Sequence, residues 1–194
     1  MKKSNLIIGL FIVLLAFSCN SNKKVTRVDD KQMIDLSGRW NDTDSRLVSE
    51  EMIKDALSRP WISEFTTEKG KKPTVIVGTV KNKSSEHINT ETFINDIERE
   101  FINSGKVKVV QSADLREEIR KERTDQQGFS SPETVKKWGL EKGADYILQG
   151  TVNSISDEDS KLKLMYYQID IELSDIETNE KVWIGTKKIK KVIK

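Results

Sequence analysis

Residues 74–80 read TVIVGTV, a β-branched run that starts directly after Pro73 and ends at the polar stretch KNKS of residues 81–84. Such a run between turn-forming residues is the signature of a buried strand. The loop NKSSEHINT (82–90) then leads into a helical pattern. Phe93, Ile94, Ile97 and Phe101 fall within about 100° of one another on a helical wheel, and Gly105 stands where a left-handed cap is cheap. Val107 to Val110 make a second short strand. Strand, helix and strand in this order predict a right-handed parallel crossover, which places the chain in the α/β class.

Downstream, Ser112 can cap a third helix through about Arg123, with Leu115 and Ile119 as its main apolar residues. TDQQGFSS (124–131) reads as a loop. Ser131 and Pro132 then make a cap and first-turn pair for a fourth helix that presents Val135 and Trp138 and stops at Gly143. The remainder reads as an antiparallel meander. One strand covers 144–154, the acidic turn Asp157-Glu158-Asp159 follows, and a long strand covers 162–174. In that strand Met165, Tyr167, Ile169, Ile171 and Leu173 alternate with Tyr166, Gln168, Asp170, Glu172 and Ser174, the period of a half-buried strand. Its partner, 181–191, is reached through the turn Thr178-Asn179-Glu180. The expected architecture is a single domain with a mixed β-sheet, a parallel β-α-β unit, the C-terminal meander, and helices packed on the sheet.

Upstream of Pro73, Thr43 or Asp44 offers a cap for a first helix whose apolar face is Val48, Met52, Ile53, Ala56 and Leu57, ended by Pro60. Residues 20–35 (NSNKKVTRVDDKQMID) are polar, lack aromatic residues and show no sustained period, as a solvated linker does. The globular domain is therefore expected over 36–194. Before the linker, Lys2 and Lys3 precede twelve apolar residues, LIIGLFIVLLAF (6–17), the length of a signal-peptide core rather than of a spanning helix. Ser18-Cys19 follows and contains the chain's one cysteine. A small residue before a cysteine at this place reads as a bacterial lipoprotein cleavage site, so 1–18 is expected to be removed and Cys19 acylated. An ordinary signal peptide with an incidental cysteine, or an uncleaved anchor, are the other readings of the same residues.

Without residues 1–18 the chain carries 31 basic and 31 acidic side chains, since two of its 33 Lys and Arg lie in the leader. That balance gives no global electrostatic argument for nucleic acid. With Cys19 acylated, the folded part has no thiol for a disulfide, a metal or a nucleophile. His87 is the only histidine, so a zinc site would lack a second nitrogen or sulfur ligand and a Ser/His triad would have to be built around that one residue. No phosphate-binding glycine loop is present. No enzyme, cofactor, metal or small-molecule substrate is expected. Lys187, Lys188, Lys190, Lys191 and Lys194 make a basic strand end, read first as edge protection. Trp40, Trp61, Trp138 and Trp183 read as core or core-edge residues.

Four segments carry a family resemblance: DLSGRWNDTDSR (35–46), VKNKSSEHINT (80–90), GADYILQGTV (143–152) and YYQIDIELSDIETNEKVWIGTKKIKK (166–191). They resemble the LpoB family of lipoprotein activators of penicillin-binding proteins, over nearly all of the folded part. The resemblance implies a fold like the N-terminal domain of TolB, also found in curli-export lipoproteins. It implies an outer-membrane lipoprotein facing the periplasm that binds a class A (bifunctional) penicillin-binding protein and raises its output. Asn20 is not the Asp that marks inner-membrane retention in enteric bacteria, which fits outer-membrane sorting. Enteric members carry a long Pro-rich tether, whereas the stretch from Cys19 to Leu36 lacks proline and reaches at most about 60 Å fully extended. An envelope assembly lipoprotein of the same fold with another protein partner is the alternative.

The candidate partner-binding residues lie on the loop between the first strand and the second helix: Asn82, Ser84, Ser85, Glu86, His87 and Asn89. A loop held between a buried strand and an anchored helix presents its polar groups rigidly, as recognition requires. Equally, His87 and Asn89 could merely bond the loop's own backbone and cap the helix.

Overall fold

A computed structural model describes residues 25–29, 31–136 and 141–194. The chain divides into two units, Met1–Gln32 and Met33–Lys194. In the first, Asp29 closes a local turn by accepting from the backbone N–H groups of Lys31 and Gln32 at 2.8 and 3.1 Å. The expected leader and Cys19 lie outside the described residues.

The second unit runs α1 (Asp42–Ala56), α2 (Trp61–Lys69), β1 (Thr74–Asn82), α3 (Thr90–Ser104), β2 (Lys108–Val110), α4 (Ala113–Phe129), β3 (Tyr146–Glu158), β4 (Lys163–Asp175) and β5 (Lys181–Ile193). The five strands form one mixed sheet in the order β2-β1-β3-β4-β5. β1 is parallel to β2 and to β3, whereas β3, β4 and β5 form the antiparallel meander. The α/β class, the parallel strand-helix-strand unit and the meander are as the sequence predicts.

Alternation decides which face of the sheet is covered. Met165, Tyr167, Ile169, Ile171 and Leu173 of β4 are buried, as are Val75, Val77 and Val80 of β1 and Tyr146, Leu148 and Val152 of β3. Paired residues of neighbouring strands point to the same side, so these side chains make one continuous apolar floor. Onto it α1 brings Val48, Met52, Ile53 and Ala56, and α3 brings Phe93, Ile97 and Phe101. At the centre of the meander Ile171 is flanked in register by Gly150 and Gly185. The Trp183 ring lies over Gly185, where a Cβ would stand 2.3 Å from the indole. Its Nε1–H donates to Asp55 of α1 at 2.7 Å, tying helix to sheet edge.

Five local readings change. The cap of α1 is Asn41, because its side chain accepts from the Asp44 N–H while the Asp44 carboxylate accepts from the Asn41 N–H. Asp44 is thus the third helical residue of a reciprocal capping box, not the cap itself. Pro60 ends α1 but also starts α2, a helix the apolar pattern did not announce; its preset φ suits an opening turn and its missing N–H costs nothing there. Trp61 and Phe65 of α2 pack edge-to-face on Tyr146, with centroids 5.2 and 5.5 Å away. α4 continues through most of the expected loop to Phe129, supported by bonds one turn back from Thr124 to Arg120 and from Gln126 to Glu122.

The fourth helix is absent over 131–136, where the Thr134 and Val135 N–H groups close a single turn on the Ser131 carbonyl. Its start signal is present, but almost no apolar surface is buried there to extend it. Trp138 lies outside the described residues. The turn after β3 forms at Asp159, whose carboxylate accepts from the N–H groups of Lys161 and Leu162, so the strand continues through Glu158.

Candidate functional site

The loop after β1 is closed by its own side chains. Asn82 donates through Nδ2 to the Glu86 carbonyl at 2.7 Å and accepts from the Ser84 N–H at 2.9 Å and the Ser84 hydroxyl at 2.6 Å. The Glu86 N–H returns a bond to Ser84 Oγ. Asn89 caps α3 by accepting from the Glu91 N–H at 3.0 Å. Ile88 is buried beneath the loop. Asn82, Ser84 and Asn89 therefore spend their polar groups on the loop and helix cap; for Asn89 this is the structural role that the sequence left open beside the binding role, and for Asn82 and Ser84 the sequence did not raise it.

Ser85 and His87 face outward from that frame, whereas Glu86 turns toward Trp40. Ser85 meets Ser154 of β3 through its N–H at 3.0 Å and its hydroxyl at 3.3 Å. Glu86 is half-buried and accepts from the Trp40 N–H at 3.1 Å. His87 is exposed. Beneath them Tyr167 is fully buried, with the Trp40 ring edge-to-face 5.5 Å away. Burial first, and then the Glu86 carboxylate, push the Tyr167 phenol well above its ordinary pKa, so it stays protonated.

The segment before α1 completes the site, and its partner comes from the far end of the chain. Lys191 of β5 donates to Asp44 at 2.7 Å, to Asp35 at 2.6 Å and to the Arg39 carbonyl at 3.1 Å. Asn41 adds bonds to Asp35 and to the Ile34 carbonyl, and the Trp40 indole N–H donates to Ser45. Burial opposes the charge on Lys191, but the two carboxylates outweigh it and its pKa is raised. The lysines of β5 thus do more than guard an edge: Lys187 pairs with Glu51 of α1, and Lys191 clasps the chain before the helix. Alternation along β5 was the available signal, since it puts Lys187 and Lys191 on the covered face with Trp183.

Between this clasp and the loop lies a cavity of about 580 Å³. Arg39, Trp40, His87, Lys163, Met165 and Ile193 are among its walls. The site thus brings Ser85, Glu86 and His87 together with residues of four other segments, while Asn82, Ser84 and Asn89 support it from behind. Among the described residues no group of three or more His, Cys, Asp or Glu is placed to hold a metal ion, and no helix is long and apolar enough to cross a membrane.

Residues 44–189 match the family model for the peptidoglycan-synthase activator LpoB. The chain belongs to the LpoB family. That match includes the candidate loop, most of the clasp's helix and the whole of β4. Among solved structures the chain is similar to the LpoB C-terminal domain from Salmonella enterica, at 18% identity over 67% of this chain and 93% of that one, with a TM-score of 0.37. It is similar also to the lipoprotein GNA1162 from Neisseria meningitidis, at 14% identity over 62% and 83% of the two chains, TM-score 0.39. A third is E. coli LpoB, at 17% identity over 69% and 65%, TM-score 0.36. No curated protein matches the chain. LpoB proteins are peptidoglycan-synthase activators, a regulatory role, and that general role extends to this member.

Proposed function

We propose that this LpoB-family protein is a lipoprotein acylated at Cys19, anchored in the outer membrane, that reaches through the periplasm and stimulates a class A penicillin-binding protein. Residues 1–18 act as the leader and 19–35 as the tether, whose last residues Ile34 and Asp35 are held by Asn41 and Lys191. The family match over the folded part carries the activator reading, and the apolar run ending at Ser18-Cys19 carries the anchor. The partner surface is the loop Asn82–Thr90. Its exposed residues are held by the Asn82–Ser84–Glu86 bonds, so little conformational freedom is lost when a partner closes over them.

The geometry sharpens the experiment. Changing Ser85 and His87 together to Ala leaves the loop's own closure and the helix cap intact. Affinity for the synthase should fall at least tenfold, and stimulation of its turnover should fall with it, while the thermal midpoint stays within about 2 °C, as for a surface change. Unchanged affinity would move the contact to another face. For the anchor, Cys19→Ser should abolish acylation, and mass spectrometry of the membrane fraction should find mature protein beginning at acylated Cys19 in the wild type only. A wild-type mature chain that starts elsewhere without lipid would remove the anchor reading.

A further inference from the structure

The cavity shares Ser85, Glu86 and His87 with the loop proposed to meet the synthase, and its other walls carry a chemistry of their own. Three cationic or cation-forming side chains line it, Arg39, His87 and Lys163, against one carboxylate, Glu86. That carboxylate is already engaged by the Trp40 N–H. Arg39 has no carboxylate partner among the described residues, and Lys163 pairs only with the exposed Glu158 at 2.9 Å, a surface pair that a ligand can displace. Trp40, Met165 and Ile193 give apolar wall, and serine hydroxyls complete the lining. The backbone of one wall is held before any ligand arrives. Lys191 holds the Arg39 carbonyl, and Glu86 holds the Trp40 backbone.

We propose that this cavity binds a carboxylate-bearing glycopeptide of the cell wall, with Arg39 and Lys163 on its carboxylate and Trp40, Met165 and Ile193 against its methyl groups and sugar ring. The proposal rests on the family's place in peptidoglycan synthesis, but not on which synthase is bound. A cavity of about 580 Å³ is the size of a small-ligand site. A guanidinium without a partner in a concave wall favours a carboxylate, and hydroxyls beside an indole favour a sugar. An acidic protein segment would meet the same cations, but it would not need a concavity with hydroxyl-bearing walls.

The test is calorimetric titration of the mature full chain with muramyl dipeptide and with the same compound amidated at its free carboxylate. The wild type should bind the acid saturably and the amide at least tenfold more weakly. Arg39→Gln with Lys163→Gln should reduce affinity for the acid at least tenfold. Absence of saturable binding of the acid by the wild type, or equal affinity for acid and amide, overturns the proposal without any variant. If the double variant instead loses affinity for the synthase and the wild type ignores the glycopeptide, the cavity is a protein contact and the proposal fails. Synthase stimulation by the wild type is measured on the same preparation. Glycopeptide binding without stimulation would sink the activator reading and leave this one standing.

Discussion

α3 and α4 are helices of 15 and 17 residues, both with apolar residues at helical spacing, yet they are held to the molecule by different forces. α3 buries Phe93, Ile97 and Phe101 against β1 and β2. α4 buries no residue, and Leu115 and Ile119 remain 48% and 39% exposed. Among the described residues, what ties α4 to the chain that follows is charge: Arg120 makes two bonds of 2.9 Å to Glu141, and Arg123 approaches the same carboxylate. Those bonds raise the Arg120 pKa and lower that of Glu141. Exposed ion pairs contribute little to stability, whereas each buried aromatic removes a large apolar area from water. The contrast teaches that a helix pattern alone says where a helix forms, not how firmly it is attached.

The sharpest way to break this comparison is Phe101→Ala, which deletes a fully buried ring. It should cost about 3–5 kcal/mol in denaturant melts. A loss below about 1 kcal/mol would mean that α3 is not packed as described. Next comes the clasp. Lys191→Met leaves Asp44 buried without its cation and should cost about 2 kcal/mol, less than a fully buried pair because Asp35 stays exposed.

The clasp also has a pH signature. The folded pKa of Lys191 is raised, so its contribution is complete below the ordinary lysine value of 10.5 and is lost as pH climbs through the folded value. The Asp35 pKa is lowered, chiefly by Lys191, so that contribution is present above 3.8 and is lost as pH falls through the folded value. The two limbs should flatten in Lys191→Met. Equal slopes in the variant and the wild type would show that other groups carry them. The smallest effect belongs to α4. Ile119→Ala should change stability by less than about 1 kcal/mol, and hydrogen exchange should find α4 amides opening far more readily than those of α3.

Much of the sheet was legible before any coordinates. The alternation from Met165 to Leu173 named five buried residues of β4 correctly, and the Phe93–Phe101 stripe named the buried face of α3. Both are repeats within one element, which local sequence records. α2 was missed because its two buried residues, Trp61 and Phe65, make too short a stripe and a proline precedes them. The helix expected after Ser131 has a start signal, but over 131–136 its residues bury almost nothing. A start signal satisfies a few N–H groups, but it supplies none of the burial that holds a helix together.

The candidate loop divides in the same way. Its position between a buried strand and an anchored helix followed from the order of elements, while Asn89 as a cap was one of two readings the sequence left open. That Glu86 would turn inward to the Trp40 N–H did not. Nor could the sequence pair Lys191 with Asp44, 147 residues earlier. By itself the sequence determined the α/β class, the meander and the buried faces of β4 and α3, because these depend on periodicity and local order, while the family followed from the resemblance of four segments. Only the tertiary structure decided which lysines of β5 are paired, which loop residues remain exposed, and that Arg39, His87 and Lys163 share one cavity. Those outcomes depend on where distant polar groups meet, and no local repeat in the chain encodes such a meeting.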